Sequence, residues 1–144
     1  MPGPQFLAPK PVSPSRRVRR FTLAEANRTL PLVRRIVSDI VRVHRDVRNL
    51  QVALQAAAAK DQAAAQTLLD RGLDSLQAYV DELVDVGCEL KDFQSGLVDF
   101  IGHHDGHDVC LCWKLGEEKI AYWHEVTAGV AGRQPIATLR ETAS

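Results

Sequence analysis

Apolar positions along the chain fall into two periods, and the change between them divides the sequence. Ile36, Ile40, Val43, Val47, Leu50 and Leu54 alternate spacings of four and three, which places one apolar seam along a helix. Val33, Val37 and Val41 widen that seam. A second seam runs through Leu69, Leu73, Leu76, Val80 and Leu83, and Gly87 stands where a glycine closes a helix. Upstream, Thr22-Leu23-Ala24-Glu25 has the pattern of a capping box and predicts a short helix. Pro31 then fits the first turn of a second, longer helix. The alanine-rich stretch from Ala56 to Ala65 lacks large anchors, so the chain should reverse near Lys60-Asp61. The two long helices would each run about 25 residues, or roughly 37 Å. Their apolar surface exceeds what a hairpin alone can cover and calls for a sheet, a second copy of the chain, or both. A homodimer with the helices at its interface is expected.

After Gly87 the period shortens to that of strands. Leu97–Ile101, Val109–Leu115 and Lys119–Glu125 predict a three-stranded antiparallel meander. Asp105-Gly106 signals a two-residue hairpin, which pairs His104 with His107 and Asp99 with Cys112. Val98, Phe100, Val109, Leu111 and Trp113 then share an apolar face that should cover the helices. Asp99, Ile101, His103, Cys110, Cys112 and Lys114 share the other. If Gly116-Glu117 is also a two-residue turn, Ile120, Tyr122 and His124 join Trp113 on the core face. One extra turn residue instead carries His124 to Asp99, Cys110 and Cys112. The glycine favours the first arrangement, which is the one expected.

Composition bounds the class. A chain of 144 residues with 45% hydrophobic and 25% charged residues can build a core without staples. Three cysteines do not make a disulfide framework. No apolar run approaches the roughly 18 residues of a membrane span, and the N-terminus lacks the apolar region of a secretory signal. A cytoplasmic protein is expected. Twelve basic residues stand against three acidic ones through Lys60, and six against fifteen after it. The favoured reading is that the two halves, or two subunits, attract each other. The alternative is a weak nucleic-acid contact through Arg16, Arg17, Arg19 and Arg20 of a disordered Pro/Arg-rich arm, residues 1–20.

Rare side chains concentrate between Gly96 and Arg133: four of five histidines, two of three cysteines and both tryptophans. Three kinds of chemistry compete there. Cys110, Cys112 and the histidines are suitable ligands for zinc or another transition metal, with Cys112 and His124 the candidate ligands, although no Cys-x-x-Cys accompanies them. Cys112 or His124 could act in catalysis with Asp99 or Glu125 as orienting group, although no nucleophile motif is present. The third reading is structural and is taken as the default. In it Trp113, Tyr122 and Trp123 anchor the core or an interface, the cysteines serve as small apolar residues, and His124 bonds within the fold.

The residues also carry a resemblance. Phe21-Thr22-Leu23, Glu25-Ala26-Asn27, Gly87, Glu89-Leu90-Lys91-Asp92, Gly96 to Phe100, Leu111-Cys112-Trp113, Gly116-Glu117, Trp123-His124-Glu125, Gly129 and Gly132-Arg133 resemble the bacterial domain-of-unknown-function family numbered 2203, from about Phe21 to Ile136. The family implies no activity. It implies that a shared site would draw on Lys91, Asp92, Asp99, Cys112, Trp113, His124 and Arg133. It sets aside Cys110 and the histidines of the hairpin tip.

The expected protein is therefore α+β, a long antiparallel helical hairpin followed by a small three-stranded meander. Residues 21–136 form one domain, and residues 137–144 a flexible tail. Its expected role is a non-enzymatic homodimeric binding or assembly module with no cofactor. The alternative is a small-ligand or metal-dependent enzyme around Asp99, Cys112 and His124. Candidate ligand-binding residues are Lys91, Asp92, Asp99, Cys112, Trp113, His124, Glu125 and Arg133.

Overall fold

The computed structural model describes residues 19–141. The basic arm up to residue 18, with the nucleic-acid contact expected of it, lies outside the described residues, as does the tail beyond residue 141. Two helices, α1 (Leu23–Ala56) and α2 (Gln62–Val86), form an antiparallel hairpin. Five strands follow: β1 (Glu89–Asp92), β2 (Leu97–His104), β3 (His107–Lys114), β4 (Tyr122–Glu125) and β5 (Gln134–Pro135). They pair antiparallel in sequence order, so the sheet is a continuous meander.

The helices follow their predicted seams. Ile36, Ile40, Val43 and Val47 of α1 and Leu69, Leu76, Val80 and Leu83 of α2 are buried. They share one core with Val98, Phe100, Val109, Leu111 and Trp113 of the sheet. The sheet thus supplies, within one chain, part of the burial that the helices require. The reversal falls at a 3₁₀ turn, Ala59–Asp61.

The helical start needs correction. Thr22 caps as expected, its hydroxyl accepting from the Glu25 amide while the Glu25 carboxylate accepts from the Thr22 amide. No break follows, however, and Pro31 lies inside a single 34-residue helix. Its neighbours Leu30 and Val33 are buried, and this packing holds the helix through the lost bond. Pro31 itself faces solvent, where water can serve the freed Asn27 carbonyl.

The sheet has five strands rather than three. β1 escapes a periodicity search because it is a four-residue edge strand with only Leu90 buried among Glu89, Lys91 and Asp92, the charged composition that protects sheet edges. β5 is two residues long. The Asp105-Gly106 hairpin forms as expected, with positive φ at both residues and His104 opposite His107.

The largest correction concerns β4. The chain does not turn in two residues at Gly116-Glu117. A turn closes one step earlier, the Glu117 amide donating to the Lys114 carbonyl at 3.0 Å. Gly116 takes its third position with φ +103°, where glycine is favoured. The chain then descends to α1 before entering β4 at Tyr122. The Trp113 indole donates to the Glu117 carbonyl at 3.0 Å, and the Ile120 amide donates to the Asn27 side chain at 3.0 Å. Ile120 itself is buried. The strand emerges with Cys110 opposite His124 and Leu111 opposite Trp123. Trp123 therefore faces the core, and Tyr122 and His124 face away from it.

Both ends of the described chain return to one corner. Arg20 forms a two-pronged pair with Asp108, both contacts at 3.0 Å, and the Phe21 amide donates to the Ile101 carbonyl. Arg140 pairs with Asp105 and its amide donates to His104 Nδ1 at 3.0 Å. The Glu141 carboxylate accepts from the Leu23 amide at 2.6 Å. Arg20 of the basic half thus meets Asp108 of the acidic half, whereas the pairs Arg42–Asp39, Lys91–Glu89 and Arg140–Asp105 each lie within one half.

The β1–β2 turn offers a direct check on this packing. Gly96 has φ +71°, and a Cβ there would lie 2.7 Å from Val37 Cγ1 and 2.9 Å from Leu115 Cβ. Gly96→Ala is expected to cost about 2 kcal/mol from backbone strain and overpacking together. Urea denaturation measures it, and an unchanged midpoint would contradict the close approach of turn and α1.

Candidate functional site

The register of β4 creates a site on the sheet face opposite the helices. Asp99 on β2, Cys112 on β3 and His124 on β4 point to the same side, and one potential ligand atom from each lies within 4.8 Å of the others. All three are buried, at 4, 2 and 2% exposure respectively. Asp99 and His124 sit on strands separated by β3, so their side chains meet above its cysteines. His124 Nε2 lies 3.1 Å from Asp99 Oδ2, and its Nδ1 lies 2.7 Å from the Glu125 carbonyl.

The hydrogen bonds fix the tautomer. A carbonyl oxygen only accepts, so Nδ1 carries its proton and Nε2 faces the carboxylate. A single proton then suffices for the contact between Nε2 and Oδ2. The second oxygen, Asp99 Oδ1, is buried without a hydrogen-bond partner among the described residues. Burial pushes the Asp99 carboxyl above its ordinary value, opposed by the charges of His124 and Lys91. Burial, reinforced by the Asp99 charge, raises the thiols of both Cys110 and Cys112 to about 12.

This geometry argues against a cysteine nucleophile. A thiol relay needs a histidine with one nitrogen free for the sulfur and the other held by an orienting group. His124 spends its nitrogens on Asp99 and a backbone carbonyl. A thiol near 12 is protonated at neutral pH and is a poor nucleophile. Iodoacetamide labelling of the native, metal-free protein at pH 7.5, read by mass spectrometry, should modify Cys88, Cys110 and Cys112 far more slowly than after denaturation. Rapid single-site labelling of Cys112 would reveal an activated thiolate.

The other candidates divide. Lys91 lies on exposed β1, pairs with Glu89 at 3.2 Å and contributes its charge to Asp99. Arg133, beyond β4, stacks over the Tyr122 ring at 4.5 Å and acts on Cys112. These two cations flank the trio. Trp113 is not with them, because it is buried on the core face. The Glu125 side chain leaves for the hairpin tip and pairs with His107 at 2.9 Å, and only its carbonyl touches the site. His103 and His104 likewise pair with Asp108 and Asp105. Cys110, set aside in the sequence reading, stands beside the trio, directly opposite His124. Strand alternation had already placed it on that face.

Asp92 is a turn residue. Its carboxylate accepts from the Ser95 hydroxyl at 2.6 Å and the Ser95 amide at 2.8 Å, and these bonds hold its pKa below the ordinary 3.8. A lowered folded-state pKa stabilises above the unfolded value and loses that stabilisation as pH falls through the folded one. The stability difference between wild type and Ser95→Ala should thus be full above about pH 4.5 and shrink in more acid solution. Thermal melts across pH 2–6 would show it. A gap independent of pH would mean the hydroxyl acts without the carboxylate.

Fold and site together define a small α+β protein with a buried carboxylate, thiol and imidazole on the outer face of a meander sheet. The chain belongs to the family described as Uncharacterized conserved protein (DUF2203), whose sequence model matches residues 19–136. No curated protein and no solved structure matches it.

Proposed function

We propose that this protein is a transition-metal-binding module, with Asp99, Cys112 and His124 as ligands and zinc as the favoured ion. The observation behind this reading is the convergence of three different donors within 4.8 Å in a buried place where one of them, Asp99 Oδ1, has no partner among the described residues. An unpaired buried carboxylate oxygen costs about 1–3 kcal/mol, and a cation would remove that cost. Thiolate and imidazole together suit zinc, at bond lengths of about 2.0–2.3 Å. Small side-chain rotations would draw the donors to the roughly 3.5 Å separations of a tetrahedral shell. The Nδ1–H···O=C bond from His124 is the outer-shell arrangement that aims Nε2 at a metal. Cys110 stands beside these three residues, and the charges of Lys91 and Arg133 act on Asp99 and Cys112 from either side.

The ion would take the place of the proton held between Asp99 and His124 and of the Cys112 thiol proton, so binding should release protons and strengthen as pH rises. Elemental analysis after purification without chelator should find about one zinc per chain, and zinc should raise the melting temperature of the chelator-treated protein. Cys112→Ser and Asp99→Asn should fold, yet bind zinc at least tenfold more weakly for loss of a ligand. Wild-type protein without stoichiometric metal, and with a melting curve indifferent to added zinc, would overturn the reading.

A further inference from the structure

A second site lies where the latter half of α1 meets the β1–β2 turn. Two adjoining cavities of about 430 and 360 Å³ share His44, Arg48 and Gln94. One extends to Lys91 and Asp92, the other along α1 past Arg45 and Asn49. Each is large enough for a small molecule.

The lining is cationic, and its one acid is already engaged. Asp92 is committed to Ser95 through two hydrogen bonds. Arg48 has no ion-pair or hydrogen-bond partner among the described residues. His44 is only 5% exposed, yet it too forms no hydrogen bond with a described residue. Its ring lies parallel to Phe93 at 4.9 Å, which fixes its plane. Burial, followed by the Arg48 charge, lowers the His44 pKa, with Asp92 opposing. His44 and Arg48 are four residues apart on α1 and occupy one helix face. A buried, oriented imidazole and an unpaired guanidinium therefore line the same groove with donor capacity that the described protein does not use. A phosphate group meets both: the guanidinium can grip two of its oxygens, and the imidazole N–H can donate to a third.

We propose that this groove binds the phosphate of a small phosphorylated molecule, with Arg48 as the anion grip and His44 as an orienting donor. The assignment is independent of the metal reading, because none of the metal's ligands lines the groove. Nucleic-acid backbone offers the same phosphate chemistry, so the experiment compares both sources on chelator-treated full-length protein. Imidazole resonances of His44 are followed by NMR as inorganic phosphate, adenosine monophosphate or a single-stranded oligonucleotide is added. The expected result is a saturable shift of His44 with the mononucleotide. Arg48→Gln should weaken binding about tenfold for loss of a charge-assisted bidentate contact, and Arg71→Gln on exposed α2 should leave it unchanged. No saturation at tens of millimolar, or equal binding by Arg48→Gln and wild type, would overturn the proposal. Oligonucleotide binding with a steep salt slope, without saturation by the mononucleotide, would overturn the small-molecule assignment.

Discussion

The docking of the β3–β4 connection onto α1 decides what the outer face of the sheet contains. Trp113 on the core face reaches the Glu117 carbonyl, and Asn27 on α1 holds the Ile120 amide. Arg34 adds contacts to the Glu117 and Glu118 carbonyls at 3.4 and 3.3 Å. These bonds consume the residues that a tight hairpin would have placed in the strand. Because side chains alternate with a period of two, a shift of one residue exchanges the faces of the whole strand. It buries Trp123 against the helices and delivers His124 to Asp99. The polar trio is a product of helix–loop contact as much as of strand pairing.

The trio also carries an energetic tension. A carboxyl, an imidazole and a thiol occupy a place where apolar side chains would pack without desolvation cost. Asp99 obtains one good partner in His124, and its other oxygen has none among the described residues. At the hairpin tip, where all the acids and every histidine but the buried His104 meet solvent, each acid pairs with an arginine or a histidine. The contrast separates the two histidine groups. Those at the tip serve local charge balance, whereas His124 sits where its pairing leaves chemistry unfinished.

Much of the architecture could be read from spacing. The helical seams, the reversal, the closing Gly87 and the Asp105-Gly106 hairpin each rest on local rules, and each appears where the rule puts it. The pairing of Asp99 with Cys112 follows from that hairpin alone. Local rules failed where a distant element intervened. Pro31 looks like a helix start until the burial of Leu30 and Val33 is known. Gly116 looks like the first residue of a tight turn until the loop is seen to dock on α1. Strand β1 shows no pattern because its edge position asks for charge rather than alternation. The His44 groove was beyond reach, since it depends on a turn distant in sequence placing Phe93 against the imidazole and Gln94 beside it.

The meeting of the two ends of the described segment at the β2–β3 hairpin has an architectural consequence. The segment around Arg20 to Leu23 enters, and Arg140 and Glu141 leave, at the same corner. A unit with adjacent entry and exit can be spliced into a surface loop of a host protein without spreading the host's strands apart. The same closure orders biosynthesis. The helical hairpin can pair as it leaves the ribosome, but the corner that joins residues 20–23 to residues 140–141 cannot be tied until residue 141 has emerged.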